Sequence, residues 1–178
     1  MRPLISPASL RERDILVAIL DANEQSRQFL TSVLGMLGVE RVVDFPTPQA
    51  LLTWLSPRNT PQVLLVDAGL APMSGVAFAR YLRTIVGGRA AYVPIILIGA
   101  RVTRETLTEA RNAGVNEFIA KPVSPPGLSA RLRAVLEAPR PFVRTPDYFG
   151  PDRRRRQVEY SGENRRGSVR NDAPLSAP

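Results

Sequence analysis

Short apolar runs alternate with amphipathic stretches from residue 14 to about residue 138. The runs are ILVAIL (15–20), QVLLV (62–66), PIILI (94–98) and the weaker NEFIA (116–120), with RVVDF (41–45) shorter and more exposed. Each is about five residues long and rich in Val, Ile and Leu, with little polar alternation. Such runs suit strands buried on both faces of a parallel sheet, and their length favours strands over buried helical turns.

The stretches between them carry helix signals. Asn23 is placed to cap a helix running to about Leu37, with Gly38 where a left-handed C′ residue belongs. Thr47-Pro48 gives a cap followed by proline at the first helical position, for a helix over 48–55. From Gly75 to about Ile85, Val76, Phe78, Ala79 and Leu82 share a face. Thr103 caps 104–113 ahead of Gly114, and Ser124-Pro125 opens a last helix that closes near Ala138 before Pro139. Phe29, Val33, Met36 and Leu37 fall at helical spacing and are expected in the core, and Trp54 is expected to pack.

Strand and helix therefore alternate five times. That pattern predicts an α/β fold, a five-stranded parallel sheet with helices on both faces. Right-handed crossovers leave few topologies, of which the flavodoxin-like order 2-1-3-4-5 is common at this size. In such sheets ligands bind beyond the carboxyl ends of the strands. At that edge the chain puts Asp21 after the first strand, Asp67 after the third, Gly99 after the fourth and Lys121 after the fifth. Strands one and three are neighbours, so Asp21 and Asp67 should face each other, within reach of a long Lys121 side chain. Two carboxylates and an ammonium, without His or Cys, suggest oxygen ligands for Mg²⁺. A carboxylate is also a nucleophile toward phosphorus.

Composition narrows the chemistry further. The chain has no Cys and no His, which excludes disulfides, thiolate metal sites and imidazole bases. No run approaches the length of a membrane span and the first residues lack a secretory apolar segment, so a cytoplasmic protein is expected. The net charge of +8 is uneven: twelve basic and ten acidic groups lie in 14–138, against nine Arg and five acids in 139–178. Lys121 is the only lysine.

At these residues the chain resembles a response-regulator receiver domain of bacterial two-component systems. VDAGLAPMSG resembles the phosphoacceptor segment, with Asp67 at a strand end and Gly75 eight residues on. LDANE resembles the acidic pair at the end of the first strand, and GVNEFIAKPV the fifth-strand segment with Phe118 and Lys121-Pro122. The resemblance spans 14 to about 138. It implies a non-enzymatic phosphorelay protein in which Asp67 accepts a phosphoryl group from a histidine kinase or phosphotransfer protein. Mg²⁺ would be held by Asp21, Asp67 and the backbone carbonyl of Gly69. Lys121 would pair with Asp67 and then with the phosphoryl group, as a compact point charge that an Arg fork does not imitate. The Lys121-Pro122 bond is expected to be cis. The face of helix 4, strand 5 and helix 5 would contact a downstream protein.

Two positions depart from the family pattern. Ala22 replaces the second acid of the pair and supplies no oxygen, which should weaken Mg²⁺ binding. Gly99 stands where the family has Ser or Thr, so one hydrogen bond to the phosphoryl group, ~1.5–3 kcal/mol, is lost. Coupling of the switch positions Gly99 and Phe118 should weaken with it. Arg101 lies near enough in sequence to touch a phosphoryl group, although an exposed surface role is expected. A receiver that phosphorylates poorly, or a pseudo-receiver that binds partners without phosphorylation, is the consequence.

Domain organisation is read as an N-terminal arm (1–13), a receiver domain (14–138) and an Arg-rich, largely disordered tail (139–178) in place of a usual output domain. The tail repeats Tyr-x-Gly-x-(Asp/Asn)-Arg-Arg at 148–154 and 160–166. Arg153, Arg154, Arg155, Arg156, Arg165 and Arg166 are expected to meet an acidic partner or nucleic acid, with Tyr adding stacking surface. A nucleic-acid-associated protein acting through this tail is the third functional reading.

Overall fold

The structure, a computed structural model, describes residues 14–154 together with the backbone of 170–172. The apolar runs form β1 (Leu16–Leu20), β2 (Arg41–Phe45), β3 (Val63–Asp67), β4 (Ile95–Gly99) and β5 (Glu117–Ala120). All pair in parallel, in the order β2-β1-β3-β4-β5. Successive side chains of a strand point to opposite faces, and the strands divide accordingly. Val17, Ile19, Val63, Leu65, Ile96 and Ile98 fill one core. Ala18, Leu20, Leu64, Val66, Ile95 and Leu97 fill the other. Continuous apolar runs are what a sheet covered on both sides requires.

The coverings are five helices: α1 (Glu24–Met36), α2 (Pro48–Trp54), α3 (Gly75–Tyr81), α4 (Arg104–Asn112) and α5 (Pro125–Glu137). Four start at the expected caps, Asn23, Thr47, Thr103 and Ser124, and α3 starts at Ser74, a cap not among those expected; each of these side chains accepts a backbone N–H from the first turn. Gly38 and Gly114, at φ 85° and 83°, end α1 and α4 in the left-handed conformation that favours glycine. α1 and α5 cover the first core, and α2, α3 and α4 the second. Trp54 packs beside Phe45, with ring centroids 5.2 Å apart.

One face was misplaced by the sequence pattern. Phe29 and Met36 are exposed, at 49% and 61%, while Leu30, Val33 and Leu34 are buried. Leu37 packs at the edge of the same core. The apolar residues of α1 extend around more of the helix than the sheet covers, and the buried arc is centred on Leu30 and Leu34.

A second difference concerns the end of the domain. The helix α3 runs on as one π-helical turn, Leu82–Val86. Beyond α5 the chain forms an antiparallel hairpin, β6 (Phe142–Thr145) and β7 (Tyr148–Pro151), and β8 (Arg170–Asp172) pairs with the other side of β6. The folded body thus continues past 138, and its first tail residues are not a disordered segment. Phe142 and Phe149 bury themselves with Ala91 and against Tyr92. Their rings meet Tyr92 at centroid distances of 5.1 and 5.0 Å.

Arg83, only 3% exposed, is the polar centre beneath this cluster. It donates to the carbonyls of Gly114 (3.1 Å), Ala91 (2.7 Å) and Val93 (2.8 Å), and to Oδ1 of Asn116 (3.1 Å). The Phe142 ring lies 5.0 Å from its guanidinium carbon. Burial pushes its pKa down to about 9, which leaves it charged at neutral pH, and nearby Tyr148 works in the opposite direction. Arg140 adds hydrogen bonds to the carbonyls of Asn116 and Asp152. No helix among the described residues is long and apolar enough to cross a membrane.

Candidate functional site

The strand register brings the charged residues to one edge. Leu20 pairs with Val66 and Asp67 with Ile98, while Gly99 pairs with Ala120. Asp21, Asp67 and Lys121 therefore emerge together at the carboxyl ends of β1, β3 and β5. The backbone N–H of Lys121 donates to the Gly99 carbonyl at 2.9 Å, which fixes where its side chain starts. Both Lys121-Pro122 and Ala71-Pro72 are cis.

Lys121 Nζ lies 2.7 Å from Asp67 Oδ1 and 3.7 Å from Asp21 Oδ2. Partial burial works against the ammonium charge. The hydrogen bond and charge of Asp67, joined by Asp21, outweigh it and hold the Lys121 pKa above its ordinary value. The other Asp67 oxygen, Oδ2, accepts the Gly69 N–H at 2.9 Å. Gly75 is required for close approach, because a Cβ there would come within 2.2 Å of the Asp67 carbonyl oxygen.

Asp21 is 4% exposed and held on both oxygens. Oδ1 accepts the Asn23 N–H at 2.8 Å and Oδ2 the Ser26 hydroxyl at 2.6 Å. Arg27 donates to the carbonyls of Asp21 (2.9 Å) and Ala22 (3.3 Å) while pairing with Asp44 at 2.6 Å. Ser26 and Arg27 are the site residues that sequence reasoning missed. Their signal is their place in the first turn of α1, one turn after the β1 end, where side chains can fold back over the edge.

Hard oxygen donors suited to Mg²⁺ are present in Asp21 and Asp67. The set is one carboxylate short at Ala22, and no group of three acidic side chains that could hold a metal occurs among the described residues. The donors fit a cation whose remaining ligands are backbone carbonyl and water.

Gly99 and Phe118 lie side by side on β4 and β5. A Cβ at position 99 would meet the Phe118 ring at 3.0 Å and Ala68 Cβ at 3.1 Å. Arg101 is exposed. Of the tail arginines, Arg153 stacks 4.3 Å from the Tyr148 ring centroid and donates to Asn112 Oδ1 at 2.9 Å. Tyr148 is buried and donates its hydroxyl hydrogen to the Pro151 carbonyl at 2.7 Å, so it is no open stacking surface. The Arg154 backbone N–H binds Asp152. Arg155, Arg156, Arg165 and Arg166, with the second repeat, lie outside the described residues.

Relatives share this body more than its surroundings. The cyclic di-GMP phosphodiesterase response regulator RpfG of Xanthomonas campestris is 33% identical over 122 residues, covering 68% of this chain but 32% of that protein. The chemotaxis protein CheY1 of Helicobacter pylori (strain 26695) is 27% identical over 118 residues, covering 66% of this chain and 94% of that protein. The receiver domain of the Arabidopsis thaliana histidine kinase CKI1, solved with Mg²⁺ and BeF₃⁻, superposes with a TM-score of 0.63 at 20% identity, over 74% of this chain and 94% of that one. The chain thus spans a third of the length of one curated relative and nearly all of another. The family model for the response regulator receiver domain matches residues 17–133, a stretch that takes in β1 from its second residue, all of β2 to β5, and Asp21, Asp67 and Lys121. The chain belongs to the response regulator receiver domain family.

Proposed function

We propose that this receiver domain takes a phosphoryl group on Asp67 from a histidine kinase or phosphotransfer protein and passes the signal on through protein contacts. The observation that carries this reading is the Lys121–Asp67 contact of 2.7 Å at the carboxyl edge of the sheet. A carboxylate oxygen of Asp67 attacks phosphorus, the P–N bond to the donor imidazole breaks, and the imidazole keeps the electron pair and takes up a proton. The product is an acyl phosphate. Lys121 is close enough to turn from the carboxylate to a phosphoryl oxygen as charge moves onto it. Bound Mg²⁺, held by Asp21, Asp67 and the Gly69 carbonyl, would supply charge neutralisation on the phosphoryl oxygens. Ala22 makes that binding weak, so transfer is slow and needs high Mg²⁺.

Incubating the protein with a small phosphodonor and increasing Mg²⁺ tests this. Slow, Mg²⁺-dependent labelling that disappears in Asp67→Asn is the expected result. Absence of any label at Asp67 at saturating Mg²⁺ refutes it.

Ala22 and Gly99 favour a second reading, a binding module that works without phosphorylation, with Asp67 and Lys121 kept as a standing ion pair. In that case Asp67→Asn leaves signalling in the cell unchanged. The hairpin seat of Arg153 supports a structural role for the first tail repeat over a nucleic-acid contact.

A further inference from the structure

Beside the acceptor loop a groove of about 660 Å³ opens between α3 and α4. Its floor is apolar, made by Leu97, Phe118 and the bare backbone of Gly99. Ala77 and Arg80 of α3 form one wall, and Arg101 after β4 with Glu109 of α4 forms the other. The Phe118 ring and Ala68 sit close over the bare Gly99 backbone, where a Cβ would meet them at 3.0 and 3.1 Å. Arg80 and Arg101 are exposed and have no acidic partner among the described residues. Two guanidiniums against the single Glu109 leave the groove positive.

We propose that this groove binds a small organic anion, an apolar or aromatic body carrying a carboxylate or phosphate group. The volume lies within the ~300–1,000 Å³ range of small-molecule sites, which are apolar clefts with a few polar anchors. The apolar floor takes the body of the ligand and the arginines take its charge, which planar guanidiniums bind bidentately. The terminal segments of this chain do not complement the site. Residues 1–13 carry three Arg and one Glu, and residues 155–178 carry five Arg and three acids, so both are themselves basic. The groove also reaches Ala68 and Gly69, directly after Asp67. An occupant there would touch the loop that holds the acceptor, whatever the phosphorylation chemistry of Asp67 itself.

The test is an NMR titration of the full 178-residue chain with naphthoate, naphthyl phosphate and uncharged naphthalenemethanol. Both anions are expected to give saturable shifts centred on the amides of Ala77, Gly99 and Phe118, and to bind at least roughly fivefold more tightly than the alcohol. Whichever anion binds more tightly identifies the preferred head group. In the Arg80→Gln/Arg101→Gln double variant the preference for anions should fall to roughly twofold or less, with alcohol binding retained. Ala77→Trp, at an exposed helix position, should block all three ligands while the remaining spectrum shows an intact fold. Equal binding of anions and alcohol, shifts centred elsewhere, or no saturable binding overturns the proposal. So does binding of an Asp/Glu-rich peptide but of neither naphthyl anion, which would assign the groove to a protein partner.

Discussion

Position 22 directly follows Asp21 at the carboxyl end of β1 and carries only a methyl group, with no oxygen to offer a cation. The oxygens of Asp21 are shared with the Asn23 amide and the Ser26 hydroxyl, one hydrogen bond on each. Ala22→Asp adds a carboxylate beside two others at the same edge. Mg²⁺ affinity should rise by roughly tenfold or more, the equivalent of ~1.4 kcal/mol. Calorimetric titration of the variant beside the parent protein measures it, and unchanged affinity would mean that position 22 does not face the cation. Gly75 sets a different constraint. An added Cβ would meet the Asp67 carbonyl at 2.2 Å and Leu97 Cδ1 at 2.9 Å, and the carbonyl, being backbone, cannot step aside without moving the end of β3. Gly75→Ala should cost about 2 kcal/mol or more, toward the upper end of overpacking penalties. Urea unfolding reads the loss, and new chemical shifts at Asp67 and Gly69 would show that it originates at the loop after β3.

At the scale of elements, what the sequence discloses follows from how each element is buried. The five strands were legible because a strand covered on both faces must be apolar throughout, and a run such as PIILI has few other uses. The helix starts were legible because Asn23, Thr47, Thr103 and Ser124 each do a local job that depends on residues three positions away. The triad of Asp21, Asp67 and Lys121 was legible for the same reason, since each directly follows or ends a strand. The Arg83 centre was hidden. Its partners lie at 91, 93, 114 and 116, and no local pattern announces that an arginine at the end of a helix will be buried. A side chain that satisfies three backbone carbonyls leaves them orphaned when it is removed. Arg83→Met should therefore destabilise the domain by about 3 kcal/mol or more. Arg83→Lys should recover only part of that, because an ammonium cannot span the same acceptors as a planar fork. Thermal or urea unfolding of the two variants decides it, and equal stability of Met and Lys would mean that packing, not the hydrogen bonds, holds this junction.

Across the whole molecule, the hairpin changes where the domain ends. Its strands are four residues each, too short for periodicity to speak, and they stand among Pro, Gly and Arg, which reads as tail composition. The signal that was available is Pro146-Asp147, a turn pair between two segments that each carry an aromatic. The aromatics then bury where the sheet's own helices leave a gap. Phe142, Tyr148 and Phe149 are all under a tenth exposed, and Gly150 is wedged so tightly that a Cβ would meet Tyr148 Oη at 2.7 Å and Gly114 Cα at 2.8 Å. This seat lies on the α3–β4 and α4–β5 connections, at the end of the sheet remote from Asp67, so the hairpin packs on the domain without covering Asp67. Fully burying one such aromatic contributes ~1.5–3 kcal/mol before the entropy of ordering the hairpin is subtracted. A chain ended after Ala138 also loses the Phe142 ring over Arg83 and exposes that buried cation's surroundings to water. It should unfold at a distinctly lower urea concentration than the full chain, by about 3–5 kcal/mol in stability, the range for large-to-small loss of one core aromatic. A chain ended after Arg154 keeps β6 and β7 and, among the described residues, loses only the short β8 pairing, so it should fall within about 1 kcal/mol of the parent. If both truncations unfold together with the full chain, the hairpin is only resting on the domain; if the second is as unstable as the first, residues 155–178 matter more than the buried aromatics do.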